Sequence, residues 1–415
     1  MKTHLLLFIF SGLFIGCNQT STKKNTQSNS ELSIPVIDLD NALKNISKTP
    51  YKCSEFIEDI EFLPLETNTE SLLGKNKFFV SILGTPEFVY YDLNKFSLKD
   101  GKFIYQVGKR GRGPGEYTLA IGSTTAIEDN RVFVQDNQTH QVLIYDNSNN
   151  FIKKLNVLDG IGGISYLGAD KLVLFNGSES IYPNTVPFEY HIYDLKEDRI
   201  IYTREILDIK KAWQNKSGKI FGSHGIRRNS NWYFKNKVQF FESYSDTIYT
   251  IEANCTRTPR FYVKRKNYKP PLSELFDTER YMKNRPKYIE IVSFFETPRY
   301  LFLKFYKGGF EASYIARFDK VKRETMIVSE IGAFENDLAY YKFHSFKNCI
   351  GTFDGIEYMQ IPIHKEDILS KMEEIPKVEW KEPAKRFYDL IKIANPGDNG
   401  IICIYKFKNE NNDSF

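Results

Sequence analysis

The residues most suggestive of chemistry are the five glycines and one proline in the stretch GKFIYQVGKRGRGPGEY, residues 101–117. A phosphate-binding loop needs Gly, four residues and then Gly-Lys-Ser or Gly-Lys-Thr, so that backbone N–H groups and the lysine surround the phosphates. Here Gly108 is followed by Gly113, but the next residue is Pro114, which has no N–H to donate. The dinucleotide pattern fails as well, because Glu116 stands where a third glycine is needed. The stretch therefore predicts a tight basic turn between strands.

A zinc or hydrolytic site in a central channel is the second chemical possibility. The histidines lie on segments that belong to different repeats or loops, and no His-x-His or His-Glu-x-x-His pair places two ligands on one face. The sequence predicts no metal and no cofactor. Because ligands from separate repeats can meet in a channel, an enzyme stays the alternative hypothesis. The histidines after the first 16 residues are His140, His191, His224, His344 and His364.

Positive charge is concentrated between residues 257 and 287, where ten basic and three acidic residues give a net charge of +7. An exposed patch of this sign attracts anions such as lipid phosphates or acidic glycans. We expect a partner-facing surface here, and the alternative is a solvated loop and helix that keep the chain soluble. Nucleic acid is not expected as a partner, because the whole chain has a net charge of only +5. The predicted surface consists of Arg257, Arg260, Lys264, Arg265, Lys266 and Lys269.

The N-terminus has the pattern of an export signal. Residues 5–15 form an apolar run that is too short to span a bilayer comfortably, and Gly16 precedes Cys17. This pattern predicts a lipoprotein signal peptide over residues 1–16 and lipid attachment at Cys17, and an ordinary secretory signal is the alternative. The stretch NQTSTKKNTQSNSE has no aromatic or branched apolar residue, so residues 17–33 are predicted to form a flexible tether. Such a tether would hold the folded part about 20 Å from the bilayer.

A repeat with a 48-residue step indicates which elements position these residues. Phe103–Ile104, Phe151–Ile152 and Arg199–Ile200 occupy equivalent places, and Tyr145–Asp146 matches Tyr193–Asp194 at the same offset. A short polar turn lies between each Tyr-Asp pair and the following repeat unit. The pattern therefore predicts a repeated β-hairpin.

Apolar residues alternate with period two in short runs along the chain, which predicts strands. Repeats of four short strands about 40 to 50 residues apart predict a β-propeller. The length allows six to eight blades, and the longer later repeats favour six over residues 34–408. The predicted strands lie at 132–136, 141–146, 170–175, 244–251, 299–306, 313–319, 355–362 and 400–408.

The ring is predicted to close by pairing the early strand at 56–67 with the last strand at 400–408, which removes exposed sheet edges. Two helical inserts are predicted at 272–284 and 383–394, and a disordered tail at 409–415. Four cysteines follow Cys17 at scattered positions, and buried free thiols are favoured over disulfides in a core this large. They are Cys53, Cys255, Cys349 and Cys403.

Six phrases tie the chain to a known family: IDLDNALKN, IEFLPLETNTESLLG, GRGPGEY, YSDTIYTI, PRFYVKRKNYKPP and IYKFK. In this order they resemble the six-bladed β-propeller lipoproteins of Gram-negative, Bacteroides-type bacteria, which are classed as domains of unknown function and are distantly similar to NHL-repeat propellers. The resemblance runs from about Ile34 to Lys408. It implies the fold and the blade count, and it brings no catalytic residues. In such bacteria, acidic residues after the cysteine accompany export to the cell surface, so Lys23 and Lys24 favour the periplasmic face of the outer membrane.

The sequence thus predicts an all-β chain: a six-bladed β-propeller with short helical inserts and a lipoprotein signal peptide. We expect a monomeric, non-catalytic binding or scaffolding module of the cell envelope, with an envelope protein or a glycan as its partner. The alternative is an NHL-like lyase or hydrolase with its site in the central channel.

Overall fold

A computed structural model gives the fold of the chain. It describes residues 34–408 except for 74–81, 127, 158–159, 177–187, 206–230, 243–244, 275–277, 310–311, 342–346, 349–354 and 362–363. The predictions for the signal peptide, the tether, the C-terminal tail, Cys17, His224, His344 and Cys349 lie outside the described residues.

The described chain begins with a short segment that we call the strap, which consists of strand β1 and helix α1. Two of its side chains, Ile37 and Leu39, are completely buried in the main hydrophobic core, so the strap is an integral part of the fold. The N-terminal elements are β1 (Val36–Asp38), α1 (Leu39–Ala42), β2 (Tyr51–Lys52), a 3-10 turn (Cys53–Glu55) and β3 (Ile57–Pro64).

Six antiparallel four-stranded sheets follow one another along the chain and form the blades of a propeller. Blade 1 consists of β4 (Ile82–Gly84), β5 (Phe88–Tyr91), β6 (Asn94–Ser97) and β7 (Phe103–Gln106). Blade 2 consists of β10 (Ala120–Thr125), β11 (Val132–Asp136), β12 (Gln141–Tyr145) and β13 (Phe151–Asn156). Blade 3 consists of β14 (Ile161–Gly168), β15 (Lys171–Asn176), β16 (Phe188–Asp194) and β17 (Arg199–Glu205).

The second half of the ring has the same design. Blade 4 consists of β18 (Asn231–Phe234), β19 (Lys237–Glu242), β20 (Thr247–Ile251) and β21 (Arg257–Lys264), and β1 pairs in parallel with β21 as a fifth strand. Blade 5 consists of β22 (Ile289–Glu296), β23 (Tyr300–Lys307), β24 (Ala312–Asp319) and β25 (Glu324–Ser329). Blade 6 consists of β27 (Lys347–Asn348), β28 (Gly355–Met359), β29 (Ile401–Phe407) and β3.

The remaining elements are short strands, helices and 3-10 turns that connect or decorate the blades. The strands are β8 (Lys109–Arg110), β9 (Glu116–Tyr117) and β26 (Phe334–Glu335), and the helices are α2 (Thr278–Asn284), α3 (Lys365–Glu373) and α4 (Glu382–Ile393). The 3-10 turns are Lys266–Tyr268, Leu272–Glu274, Arg285–Lys287 and Lys377–Glu379.

The predicted closure of the ring is confirmed. Strand β3 pairs antiparallel with β29, with Ile60 opposite Tyr405, so the earliest propeller strand completes the last blade. This pairing occupies the backbone donors and acceptors of both strands, which would otherwise leave two open edges.

The 48-residue repeat has a structural cause. Phe103, Phe151 and Arg199 each begin the outermost strand of blades 1, 2 and 3. Asp146 directly follows the third strand of blade 2, and Asp194 is the last residue of the third strand of blade 3. Their carboxylates accept hydrogen bonds from the N–H groups of Ser148 and Lys196, two residues further along the chain. The repeated aspartates therefore cap hairpin turns, as the predicted hairpin requires.

The hydrophobic core is divided into clusters between neighbouring blades. The largest cluster joins blades 4, 5 and 6 with the strap and with α4. Helix α4 buries one face at Ala384, Phe387 and Ile391, and the Phe387 ring lies 5.2 Å from the Phe62 ring of β3. The insert predicted at 383–394 is confirmed as α4. The one predicted at 272–284 contains the 3-10 turn Leu272–Glu274 and helix α2, whereas α3 and β1 were not predicted.

The cysteines of the described chain are free, as predicted for this core. Cys53 and Cys403 are completely buried, and Cys255 is partly buried. Burial raises the pKa of the Cys53 and Cys403 thiols well above its usual range, so both are protonated and unreactive.

Candidate functional site

The basic segment 257–287 proves to be extensively paired with carboxylates. Five of the six residues predicted to face an anionic partner have an acidic partner, and these acids lie outside the segment. The pairs are Arg257 with Glu242 (2.5 Å), Arg260 with Glu296 (2.7 Å), Lys264 with Asp38 (2.8 Å), Arg265 with Asp246 (2.8 Å) and Lys269 with Asp246 (2.9 Å).

Two of these pairs connect separate parts of the fold. Arg260 of β21 and Lys320, which follows β24, both donate to Glu296 of β22 at 2.7 Å, so blades 4 and 5 share one buried carboxylate. Lys264 connects β21 to the strap through Asp38. Two of the five pairs therefore hold blade 4 to blade 5 and to the strap, and the other three lie within blade 4 and its loops. Lys266 is exposed, and anion binding at this surface stays a prediction.

The glycine-rich turn is confirmed as a tight turn, and its own carboxylate occupies the place of an anion. The Glu116 side chain accepts the N–H of Gly113 at 2.8 Å, and it also lies against Gly111. Gly108, with φ of +59°, donates its N–H to the side-chain oxygen of Asn149 at 2.9 Å. The N–H groups of Gly108 and Gly113 are therefore used within the protein and are not free to bind a phosphate.

The innermost strands surround the propeller axis, since β10 contacts β14 and β18 contacts β22. Neutral polar side chains connect the innermost strands of blades 2, 3 and 4. The Thr124 hydroxyl accepts the N–H of Tyr166 at 3.2 Å, and the Tyr233 hydroxyl donates to the carbonyl of Tyr166 at 3.1 Å. Asn231 donates to the Ser165 hydroxyl at 2.8 Å. Side chains from both neighbouring blades therefore form hydrogen bonds with the backbone and side-chain groups of the innermost strand of blade 3.

The histidines of the described chain do not come together. His191 is buried in blade 3, where its Nδ1 lies 2.8 Å from the Thr203 hydroxyl, and burial lowers its pKa to about 4. His364 lies at the start of α3. Within the described ranges, no group of three His, Cys, Asp or Glu side chains could hold a metal ion. The prediction of a metal-free channel stays a prediction, because two histidines lie outside those ranges.

A cleft of about 470 Å³ lies between the strap and the β24–β25 hairpin of blade 5. This volume falls within the range of about 300 to 1,000 Å³ that small-molecule sites occupy. One wall comes from the strap and the other from the hairpin. The cleft is lined by Val36, Asp38, Asn41, Ala42, Arg317, Asp319, Lys322, Arg323, Glu324, Thr325 and Met326.

The fold fixes the strap wall firmly. Asp38 caps α1 by accepting the N–H of Asn41 at 3.0 Å, and its own N–H donates to the Thr325 hydroxyl at 3.2 Å. Burial opposes ionisation of Asp38, but the hydrogen bonds from Lys264 and Asn41 outweigh it and lower the pKa of this carboxyl. Asp38 is therefore a carboxylate at neutral pH.

Contacts with neighbouring side chains and backbone also hold the hairpin wall. The Arg317 guanidinium lies 4.5 Å from the centre of the Tyr51 ring and 4.7 Å from that of Tyr300, and it forms an ion pair with Glu55. Asp319 accepts the N–H of Val321 at 2.9 Å. Burial raises its pKa, but hydrogen bonds from Lys322 and Arg299 lower it further than burial raises it. Two aromatic rings and a carboxylate thus hold Arg317 at the cleft.

The charges of the cleft balance. Its three cationic residues, Arg317, Lys322 and Arg323, are matched by the three acidic residues Asp38, Asp319 and Glu324. Amide and hydroxyl groups add neutral hydrogen-bonding positions, and Val36, Ala42 and Met326 supply apolar surface. A neutral molecule with many hydroxyl groups and an apolar face is the ligand that this lining suits.

Sequence reasoning missed the cleft because its two walls lie almost 300 residues apart, as Asp38 and Thr325 show. One signal was present. In the phrase IDLDNALKN, Asp38 stands before a short helical stretch, and Asp is a favoured N-cap residue. Asp38 also lies between the apolar residues Ile37 and Leu39.

Comparisons with known proteins give a family and similar structures, and the structure with a TM-score above 0.5 agrees with the fold. Residues 34–406 match the family described as Domain of unknown function (DUF4934). A Bacteroides fragilis NCTC 9343 structure, described as that of an exported protein, is similar with 19% identity and a TM-score of 0.65, covering 91% of this chain and 100% of that one. A member of the DUF4221 family from Bacteroides vulgatus ATCC 8482 has 9% identity and a TM-score of 0.46, covering 85% and 98%. No curated protein matches the sequence. Within the described residues, no helix has the length and apolar character needed to cross a membrane.

Proposed function

Because the chain belongs to the DUF4934 family of domains of unknown function and folds as a six-bladed propeller, we propose that it is a non-catalytic binding module of the cell envelope. The observation that carries the proposal is the cleft between the strap and blade 5. Its walls are fixed by buried side chains and ion pairs, so the site is preformed and needs no rearrangement to receive a ligand.

The ligand class follows from the lining. A site with balanced charge gains little from a strongly charged ligand, whereas Asn41, Thr325 and Glu324 can exchange hydrogen bonds with hydroxyl groups. Apolar surface at Val36 and Met326 suits the C–H face of a sugar ring. A neutral carbohydrate of one or two rings is therefore the proposed ligand, in keeping with the glycan partner expected from the sequence.

The location is proposed together with the function. The N-terminal pattern favours acylation at Cys17, with the periplasmic face of the outer membrane as the site of anchoring. The similar Bacteroides fragilis protein is described as exported, which supports an envelope location.

Thermal unfolding with neutral disaccharides tests the function. The full chain is heated with maltose, cellobiose or chitobiose, and a ligand of the folded state raises the melting temperature as its concentration rises. Asn41→Leu should abolish the rise, because it replaces the amide that faces the cleft. Asn45→Leu is the matched control: Asn45 is exposed and does not line the cleft. Failure of every disaccharide to stabilise the wild type would refute the carbohydrate assignment.

A further inference from the structure

The glycine-rich turn carries a second cluster of positive charges, outside the segment 257–287. Lys109, Arg110 and Arg112 are all exposed and lie within four consecutive positions. In the part of the chain that the structure describes, no carboxylate pairs with any of the three. The nearest acid in the sequence, Glu116, points back to the N–H of Gly113.

The turn holds these cations in a defined arrangement. Strands β8 and β9 pair in parallel, with Lys109 opposite Glu116 and Arg110 opposite Tyr117. Arg110 also donates from Nε to the carbonyl of Thr118 at 3.2 Å, and the residue as a whole is exposed. A short ribbon therefore presents three cations outward.

Apolar side chains lie beside the ribbon. Gly115 packs directly against the Phe151 ring, and the Tyr145 hydroxyl donates to the carbonyl of Gly115 at 2.9 Å. Phe151 is 38% exposed and Ile152 is 49% exposed at the start of the outermost strand of blade 2. Lys154 follows them on the same strand and is also exposed. The ribbon and the start of β13 thus form one surface, which we call the cationic ridge.

We propose that the cationic ridge binds the anionic headgroups of a phospholipid bilayer, with Phe151 and Ile152 entering the interface. Its positive charge complements lipid phosphates, and exposed apolar residues next to lysines and arginines are typical of proteins that lie on membranes. The proposal rests on the envelope location proposed above. It places the ridge against a membrane and leaves the strap cleft as a separate site.

Co-sedimentation with vesicles tests the proposal. The full chain with Cys17→Ser, which removes the predicted acylation site, is mixed with vesicles of equal parts phosphatidylglycerol and phosphatidylcholine or of phosphatidylcholine alone. We expect binding to the anionic vesicles that weakens with added salt. Because each cation near an anionic surface contributes roughly fivefold, the triple variant Lys109→Gln, Arg110→Gln, Arg112→Gln should lose roughly 100-fold in partitioning.

Two further variants separate the ridge from net charge and from misfolding. Lys48→Gln, Lys371→Gln, Lys392→Gln removes the same charge from three exposed positions outside both basic segments, and it should retain binding within about twofold. Ile152→Ser keeps every charge and should weaken binding several-fold. Thermal unfolding confirms that each variant is folded.

Three results would overturn the proposal. The first is a wild type that binds both kinds of vesicle equally. The second is a control triple variant that loses as much binding as the ridge variant. The third is binding of the protein to poly-glutamate and to no vesicle, which would indicate an acidic protein as the partner of the ridge. The disaccharide experiment has no bearing on these outcomes, so failure of one proposal is distinguishable from failure of the other.

Discussion

Replacement of Arg265 by methionine should destabilise the protein strongly, although Arg265 lies in a segment that has the sequence pattern of a solvated basic surface. The Arg265 side chain is 4% exposed, and its Nε donates to Asp246 at 2.8 Å. The guanidinium also donates to the carbonyl of Ile289 on β22. The substitution would leave Asp246, itself 2% exposed, with Lys269 as its remaining cationic partner.

The expected loss follows from the burial of this pair. Removing one partner of a buried ion pair costs about 3 to 5 kcal/mol, because the other charge stays buried. Lys269 offsets part of the cost, so about 3 kcal/mol is expected. Unfolding entropy scales with length and is about 0.8 kcal/mol per kelvin for the domain at 34–408, so the melting temperature should fall by about 4 °C.

The assay is thermal unfolding of three variants side by side. Lys266→Met changes the next residue, which is exposed, and should shift the melting temperature by less than about 1 °C. The double variant Arg265→Met, Asp246→Leu should recover much of the loss, because it leaves no unpaired buried carboxylate. Equal and small shifts for Arg265→Met and Lys266→Met would refute the conclusion that this segment is structural.

Three other outcomes follow from the structure. Because burial lowers the pKa of His191 to about 4 from an ordinary value near 6.5, its contribution to stability is present above pH 6.5 and is lost as the pH falls toward 4. Urea unfolding should show about 2 kcal/mol lost from this source between pH 7 and pH 5 in the wild type, and the loss should be absent in His191→Gln. Gly108→Ala should cost about 1 to 3 kcal/mol in urea unfolding, because φ is +59° and the added carbon meets the Tyr145 hydroxyl, whereas Gly397→Ala in open space should be nearly neutral. Deletion of residues 401–407 should give aggregated protein in size-exclusion chromatography, because β3 and β28 lose their shared neighbour; a folded monomer would contradict the role of β29 in closure.

The propeller could be predicted from the sequence because its signals are local. The runs at 132–136 and 141–146 alternate with period two and become β11 and β12 almost residue for residue. The Tyr-Asp repeat marks hairpin turns, which depend on neighbouring residues only. Closure was predictable as well, since a ring needs its first and last strands to pair.

The site could not be predicted because its determinants are distant along the chain. Lys264 and Asp38 are 226 residues apart, so a charge count over residues 257–287 could not show that the lysine is paired. Arg260 and Glu296 belong to different blades, and only the ring brings them together. The sequence of the glycine-rich turn likewise could not show that Glu116 accepts the N–H of Gly113. This contact directs the carboxylate away from the exposed cations of the turn.

Hydrogen–deuterium exchange with a stabilising disaccharide tests most directly whether the strap cleft is the binding site. We predict slower exchange in α1 and in β25 (Glu324–Ser329), with no change in the inner strands β10 and β14. Slower exchange in β10 and β14 with none in β25 would contradict the account and would place the ligand in the central channel.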